Sequence, residues 1–149
     1  MHSSKLNLIF PLIVAVFHAN GVLAAGPDVC AALPLATVNE LTHQNLTGAR
    51  SDVSEEAKSY GCAYGSGGLV SVSVIRPAGA AAFARTSSRY PNAATVAGVG
   101  DKAVYDKSLG TIALFGDTVI DAFVPQGNLT DVQLLAIEKS LILALRNKL

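Results

Sequence analysis

The chain has 149 residues, of which half are apolar, and its acidic and basic residues balance to a formal net charge of zero. This length fits one ordinary domain with a single buried core. Nucleic acid and anionic membranes are not predicted as partners, because both favour a strongly basic surface.

The N-terminal segment, residues 1–25, is predicted to be a secretory signal peptide. Lys5 supplies a positive charge, residues 6–17 are largely apolar, and the small residues of VLAAG at 22–26 offer a cleavage site. The apolar stretch is shorter than the roughly 20 residues of a membrane span, so we expect it to be removed, with no membrane insertion after cleavage. Residues 26–149 are then expected to form one exported α+β domain, periplasmic or secreted.

Both cysteines, Cys30 and Cys62, lie in the exported part of the chain. In an oxidising compartment such a pair is expected to form a disulfide bond. Closing this loop would contribute on the order of 3 kcal/mol to stability if the bond acts by restricting the unfolded chain. The alternative is a pair of free or metal-binding thiols, although the spacing contains no CxxC element.

The first half of the exported part predicts one helix followed by a β-hairpin. Residues 34–46 carry apolar side chains at helical spacing. The polar, turn-rich stretch 48–59 is predicted to be a surface loop. Two strands follow at 60–65 and 69–75, joined by a glycine-rich turn, and the second alternates valine with serine.

The second half predicts a helix and then three strands. Residues 79–90 form an alanine-rich helix that Pro91 ends, since proline disfavours helical geometry in the residue before it. The three strands are predicted at 102–106, 111–116 and 118–124. Gly116-Asp117 predicts a tight turn between the last two.

A C-terminal amphipathic helix completes the predicted elements. Thr130 and Gln133 form a capping-box pattern at its start. An apolar stripe follows at Leu134, Ile137, Leu141 and Leu145, and such a stripe needs a sheet to cover. The predicted class is therefore α+β, an antiparallel sheet of about five strands with helices packed on it, in the order α-β-β-α-β-β-β-α.

A set of short motifs resembles the uncharacterised secreted or lipoprotein domains of bacteria. The motifs are Cys30 before a leucine-containing helix, the strand Cys62-Ala63-Tyr64, the valine and serine strand, GVGDKAVY at 98–105 and the closing helix. In that family the cysteine pair and a GxGDxA turn recur as structural marks. The resemblance implies a bacterial protein with an α+β sandwich related to PsbP-like folds, no assigned activity and no catalytic residues. The chain departs from the lipid-anchored members because no cysteine directly follows its small-residue run.

The stretch VAGVGDKAVYD at 96–106 is the nearest approach to a ligand-binding motif. It matches neither GxxxxGK[ST] nor a GxGxxG that opens a helix, so we interpret it as a turn. Its Gly98, Gly100 and Asp101 are kept as weak binding candidates. Tyr64 and Tyr105 join them, because the two rings could share one face of the sheet.

Catalytic patterns are sparse. His43 is the one histidine after the signal peptide, which argues against zinc sites built from several histidines, and neither HExxH nor GxSxG is present. A carboxylate pair such as Asp101 and Asp121 would need to lie about 5–9.5 Å apart in a pocket to act as acid and base. Asp121 sits among apolar residues, so it either faces solvent or requires a buried partner.

These patterns favour a non-enzymatic binding or interaction module of the bacterial envelope. It would bind a protein or small ligand through a sheet face or through the loops at 65–68 and 98–101, without a cofactor or metal. The alternative is a carboxylate-dependent envelope hydrolase. A third possibility, a structural role in envelope assembly, predicts a large exposed apolar patch.

Overall fold

A computed structural model describes residues 26–149, and the predicted signal peptide lies outside the described residues. The fold is α+β, with one antiparallel sheet and four helices. The predicted class is confirmed, but the sheet has seven strands rather than about five and the element order differs. No helix in the described part is long and apolar enough to cross a membrane.

The elements follow the chain closely, with short connections. The helices are α1 (Val29–Ala32), α2 (Leu35–Thr42), α3 (Gly79–Ser87) and α4 (Asp131–Arg146). The strands are β1 (Ala49–Ser54), β2 (Ser59–Tyr64), β3 (Val70–Ile75), β4 (Ala94–Thr95), β5 (Lys102–Asp106), β6 (Gly110–Phe115) and β7 (Thr118–Phe123). They lie in the order β1-β2-β3-β7-β6-β5-β4, and every neighbouring pair is antiparallel.

Two strands and one helix account for the wrong element order. The surface loop predicted at 48–59 contains β1, whose six residues are all exposed and therefore show no alternation of apolar and polar side chains. Strand β4 has two residues and helix α1 has four, which is too short for a periodic pattern.

The main core lies on the sheet face that α1, α2 and α4 cover. The buried valines of β3 belong to one core cluster with side chains from all three helices. The predicted disulfide is confirmed, since Cys30 of α1 is bonded to Cys62 of β2. This bond fastens the short first helix to the sheet.

Helix α3 covers part of the opposite face. Phe83 packs there with Ile112, Leu114 and Val119 from β6 and β7. Towards β2 and β3 the same face carries small side chains instead, at Gly61, Ala63, Ser71 and Ser73. The two sheet faces therefore differ, one covered by three helices and the other by one.

Helix α4 begins with the predicted capping box, because both the Thr130 and the Gln133 side chains bond the backbone of the first turn. Leu134, Leu141 and Leu145 are buried as predicted, whereas Ile137 is half-buried. The buried face also contains a charged residue, Glu138, which the periodicity argument did not identify.

Candidate functional site

The Gly98–Asp101 stretch closes a turn against the β6–β7 hairpin. The Asp101 amide donates to the Leu114 carbonyl at 2.7 Å, and the Asp101 carboxylate accepts from the Gly116 amide at 2.7 Å. Gly100 has a φ of +60°, and any β-carbon there would collide with the Leu114 carbonyl. The amide and one carboxylate oxygen of Asp101 are thus engaged within the fold.

Tyr64 lies fully buried in the main core. Its hydroxyl donates to the Leu33 carbonyl at 2.6 Å, which joins β2 to the end of α1. Burial raises the pKa of Tyr64 to about 12. This tyrosine leaves no surface for a ligand.

Tyr105, on β5, lies on the same sheet face as Tyr64 but in a different environment. Its side chain is 9 % exposed, and its hydroxyl is shielded from water without a hydrogen-bond partner. Burial raises the pKa of Tyr105, and the negative charges of Asp131, Glu138 and Asp106 raise it further. The hydroxyl therefore keeps its proton.

A cleft of about 490 Å³ opens beside Tyr105, between the end of β5 and the first turn of α4. We call it the Tyr105 cleft. Its lining residues are Asn92, Ala94, Tyr105, Asp106, Lys107, Ser108 and Asp131.

Asp106 fixes the shape of this cleft. One carboxylate oxygen accepts from the Ser108 hydroxyl at 2.6 Å and the Ser108 amide at 2.9 Å, and the other accepts from the Asn92 amide at 3.1 Å. The hydrogen bonds from Ser108 lower the pKa of Asp106. An ionised, fully engaged Asp106 ties the segment before β4 to the turn after β5.

Glu138 is a second buried carboxyl group near Tyr105, on the buried face of α4. It accepts from the Thr111 hydroxyl at 2.7 Å and from the Val124 amide at 3.1 Å. Burial raises its pKa to about 7. Its position, four residues after Leu134 and three before Leu141, is the signal that could have placed it on the buried face.

The candidate acid and base, Asp101 and Asp121, are not brought together. Asp121 lies on the α3 face of β7, half-buried, and accepts from the Ser73 hydroxyl at 2.9 Å. Burial raises the pKa of Asp121 to about 6. The two positions lie two strands apart and three residues out of register, which gives a Cα separation of roughly 14 Å.

The glycine-rich turn singled out at 65–68 lines a second, smaller cleft. This cleft has a volume of about 310 Å³ and includes Thr47, Gly48, Ala49, Arg50 and Ala63 with Gly65, Gly67 and Gly68. Arg50 is its one charged lining residue. We call it the glycine cleft.

Within residues 26–149, no group of three or more His, Cys, Asp and Glu side chains is placed to hold a metal ion. Exposed large apolar side chains occur at Val53, Leu69, Leu109, Val132 and Leu143. Val132 and Leu143 line the same surface groove on the outer side of α4.

No protein-family model, no curated protein and no solved structure matches the chain.

Proposed function

We propose that this chain is an exported, non-enzymatic binding domain of the bacterial envelope, whose ligand occupies the Tyr105 cleft. The observation that carries the proposal is Tyr105, a residue that lines an open cleft and whose buried hydroxyl has no hydrogen-bond partner. A carboxylate-dependent hydrolase is less well supported, because Asp101 is bonded to the Gly116 amide and lies away from Asp121.

A buried hydroxyl without a hydrogen-bond partner lowers the stability of the fold, so its presence beside a cleft points to a binding role. Leaving a buried hydroxyl without a hydrogen bond costs about 1–3 kcal/mol. In the described part of the chain, Tyr105 has the one buried side-chain nitrogen or oxygen that lacks a partner. A ligand that supplies an acceptor would recover this free energy on binding.

The charges around the cleft restrict the ligand. Asp106 and Asp131 carry two negative charges against one positive charge on Lys107, so the wall is net negative. Anionic molecules are therefore disfavoured. An uncharged molecule with hydroxyl or amide groups fits both the charge and the size, since small-molecule sites span about 300–1,000 Å³.

Export to the periplasm or beyond rests on three supports. The disulfide indicates an oxidising compartment. The predicted signal peptide and the resemblance to bacterial secreted domains agree with it.

We expect a sugar probe to bind at this cleft. Amide NMR spectra recorded while glucose or N-acetylglucosamine is added should shift at residues 92–94, 105–108 and 131. Glucuronate, a carboxylate analogue of glucose, should bind more weakly because the wall repels it. Tyr105→Phe should weaken the shifts, because it removes the buried donor that has no partner within the protein.

Tyr64→Phe is the matched control, since its hydroxyl is already bonded within the core. Shifts at residues 47–50 and 65–68 instead would move the site to the glycine cleft. If none of the neutral probes changes any amide near Tyr105, a trapped water molecule is the better occupant and the proposed site fails.

A further inference from the structure

Strand β1 forms one edge of the sheet. It pairs with β2 on one side, and no described strand lies on its other side. All six of its residues are exposed. An edge of this kind presents free backbone donors and acceptors that can pair with another strand.

The alternation of hydrogen-bonded pairs between β1 and β2 shows which backbone groups of β1 have no partner in the sheet. The Gly65 amide donates to the Gly48 carbonyl at 3.0 Å, so these opposed residues form a hydrogen-bonded pair. Bonded and non-bonded pairs alternate along an antiparallel ladder. The amide and carbonyl groups of Ala49, Ser51 and Val53 therefore point away from β2, towards solvent.

The side chains of β1 are complementary to those of a second copy of β1 that runs in the opposite direction. An antiparallel pairing centred on Ser51 places Ala49 opposite Val53 of a second copy and Arg50 opposite Asp52. The three outward residues then form hydrogen-bonded pairs, while the two charged pairs occupy the non-bonded positions, where side chains are closer. Arg50 and Asp52 oppose Ala63 and Gly61, so all four charges lie on one sheet face.

We propose that two copies of this chain pair through β1 to form a symmetric dimer with a continuous sheet. Twofold symmetry makes each favourable contact occur twice, including both Arg50–Asp52 pairs. Val53, whose side chain is 52 % exposed, gains an apolar neighbour in Ala49 of the second copy.

The charges favour a second copy over an arbitrary extended peptide. Charged side chains usually protect an edge strand from pairing. In β1 the charges of Arg50 and Asp52 have opposite signs. In an antiparallel pair of β1 strands they therefore attract each other and do not prevent the pairing. Six residues bury less than the about 1,200 Å² of a standard interface, so we expect reversible dimers in the micromolar range.

Charge reversal tests the pairing by sedimentation velocity on the purified, oxidised protein over a range of concentrations. Arg50→Asp alone and Asp52→Arg alone each create two like-charge contacts and should weaken dimerisation by about tenfold. The double variant, with both changes, restores two opposite-charge contacts and should dimerise nearly as well as the natural chain.

A backbone variant provides an independent test. The Ser51 amide points outward, so Ser51→Pro removes an intermolecular donor without breaking the β1–β2 ladder. It should give a folded monomer, with circular dichroism confirming the fold. A natural chain that stays monomeric at every concentration would overturn the proposal, as would a dimer that is indifferent to both single charge reversals and to the proline.

Discussion

Raising the pH from below 4.5 to above 7 is expected to lower the free energy of unfolding by on the order of 3 kcal/mol through Glu138. Burial raises the pKa of Glu138 from 4.5 in the unfolded chain to about 7 in the folded protein. Between these values the unfolded chain has released its proton while the folded protein still holds it. The contribution to stability is thus fully present below pH 4.5 and is lost as the pH rises through 7.

Urea unfolding at a series of pH values measures this dependence. Glu138→Gln should remove the slope between pH 6 and 7 and reduce it between pH 4.5 and 6, because a neutral amide occupies the same position without titrating. Asp121, whose pKa burial raises to about 6, adds a contribution of the same sign that the variant retains. Glu40→Gln, on an exposed position of α2, is the control and should keep the full dependence. A Glu138→Gln slope equal to that of the natural protein would show that the carboxyl is not buried as described.

Removing the disulfide is expected to lower stability by a similar amount. Cys30 and Cys62 are 32 residues apart in sequence, and opening a loop of that length releases about 3–4 kcal/mol of chain entropy to the unfolded state. The double variant Cys30→Ala, Cys62→Ala should therefore unfold at lower urea concentration. Reductant should lower the midpoint of the natural protein in the same way.

The double variant itself provides the control for reductant, since it has no disulfide to reduce and its midpoint should not move. Equal stability of the natural protein and the double variant under oxidising conditions would contradict the expected contribution.

Features with a local sequence signal were predicted well. The Gly116-Asp117 turn between β6 and β7 and the Thr130 capping box depend on a few adjacent residues. The disulfide followed from cysteine number and the expected compartment. These signals act over short distances or depend on composition, so the sequence contains them directly.

Features that depend on distant contacts were not predicted. Strand β1 is fully exposed, so its strand character comes from pairing with β2 rather than from its own apolar pattern. Glu138 is tolerated on a buried helix face because Thr111 and Val124 supply hydrogen bonds from the sheet. No sequence pattern distinguishes Tyr64 from Tyr105, because the difference is whether a remote carbonyl meets the hydroxyl.

The Tyr64 hydroxyl has a hydrogen-bond partner and the Tyr105 hydroxyl has none. The unfolding free energies of Tyr105→Phe and Tyr64→Phe measure this difference, and they test the binding proposal most directly. Tyr64→Phe should lose about 1–3 kcal/mol, because it leaves the Leu33 carbonyl buried without its donor. Tyr105→Phe should be as stable as the natural protein or more stable, because it removes a buried hydroxyl that has no partner. A loss for Tyr105→Phe as large as that for Tyr64→Phe would mean that the hydroxyl is already bonded within the fold, and the Tyr105 cleft would then lose the observation on which its function rests.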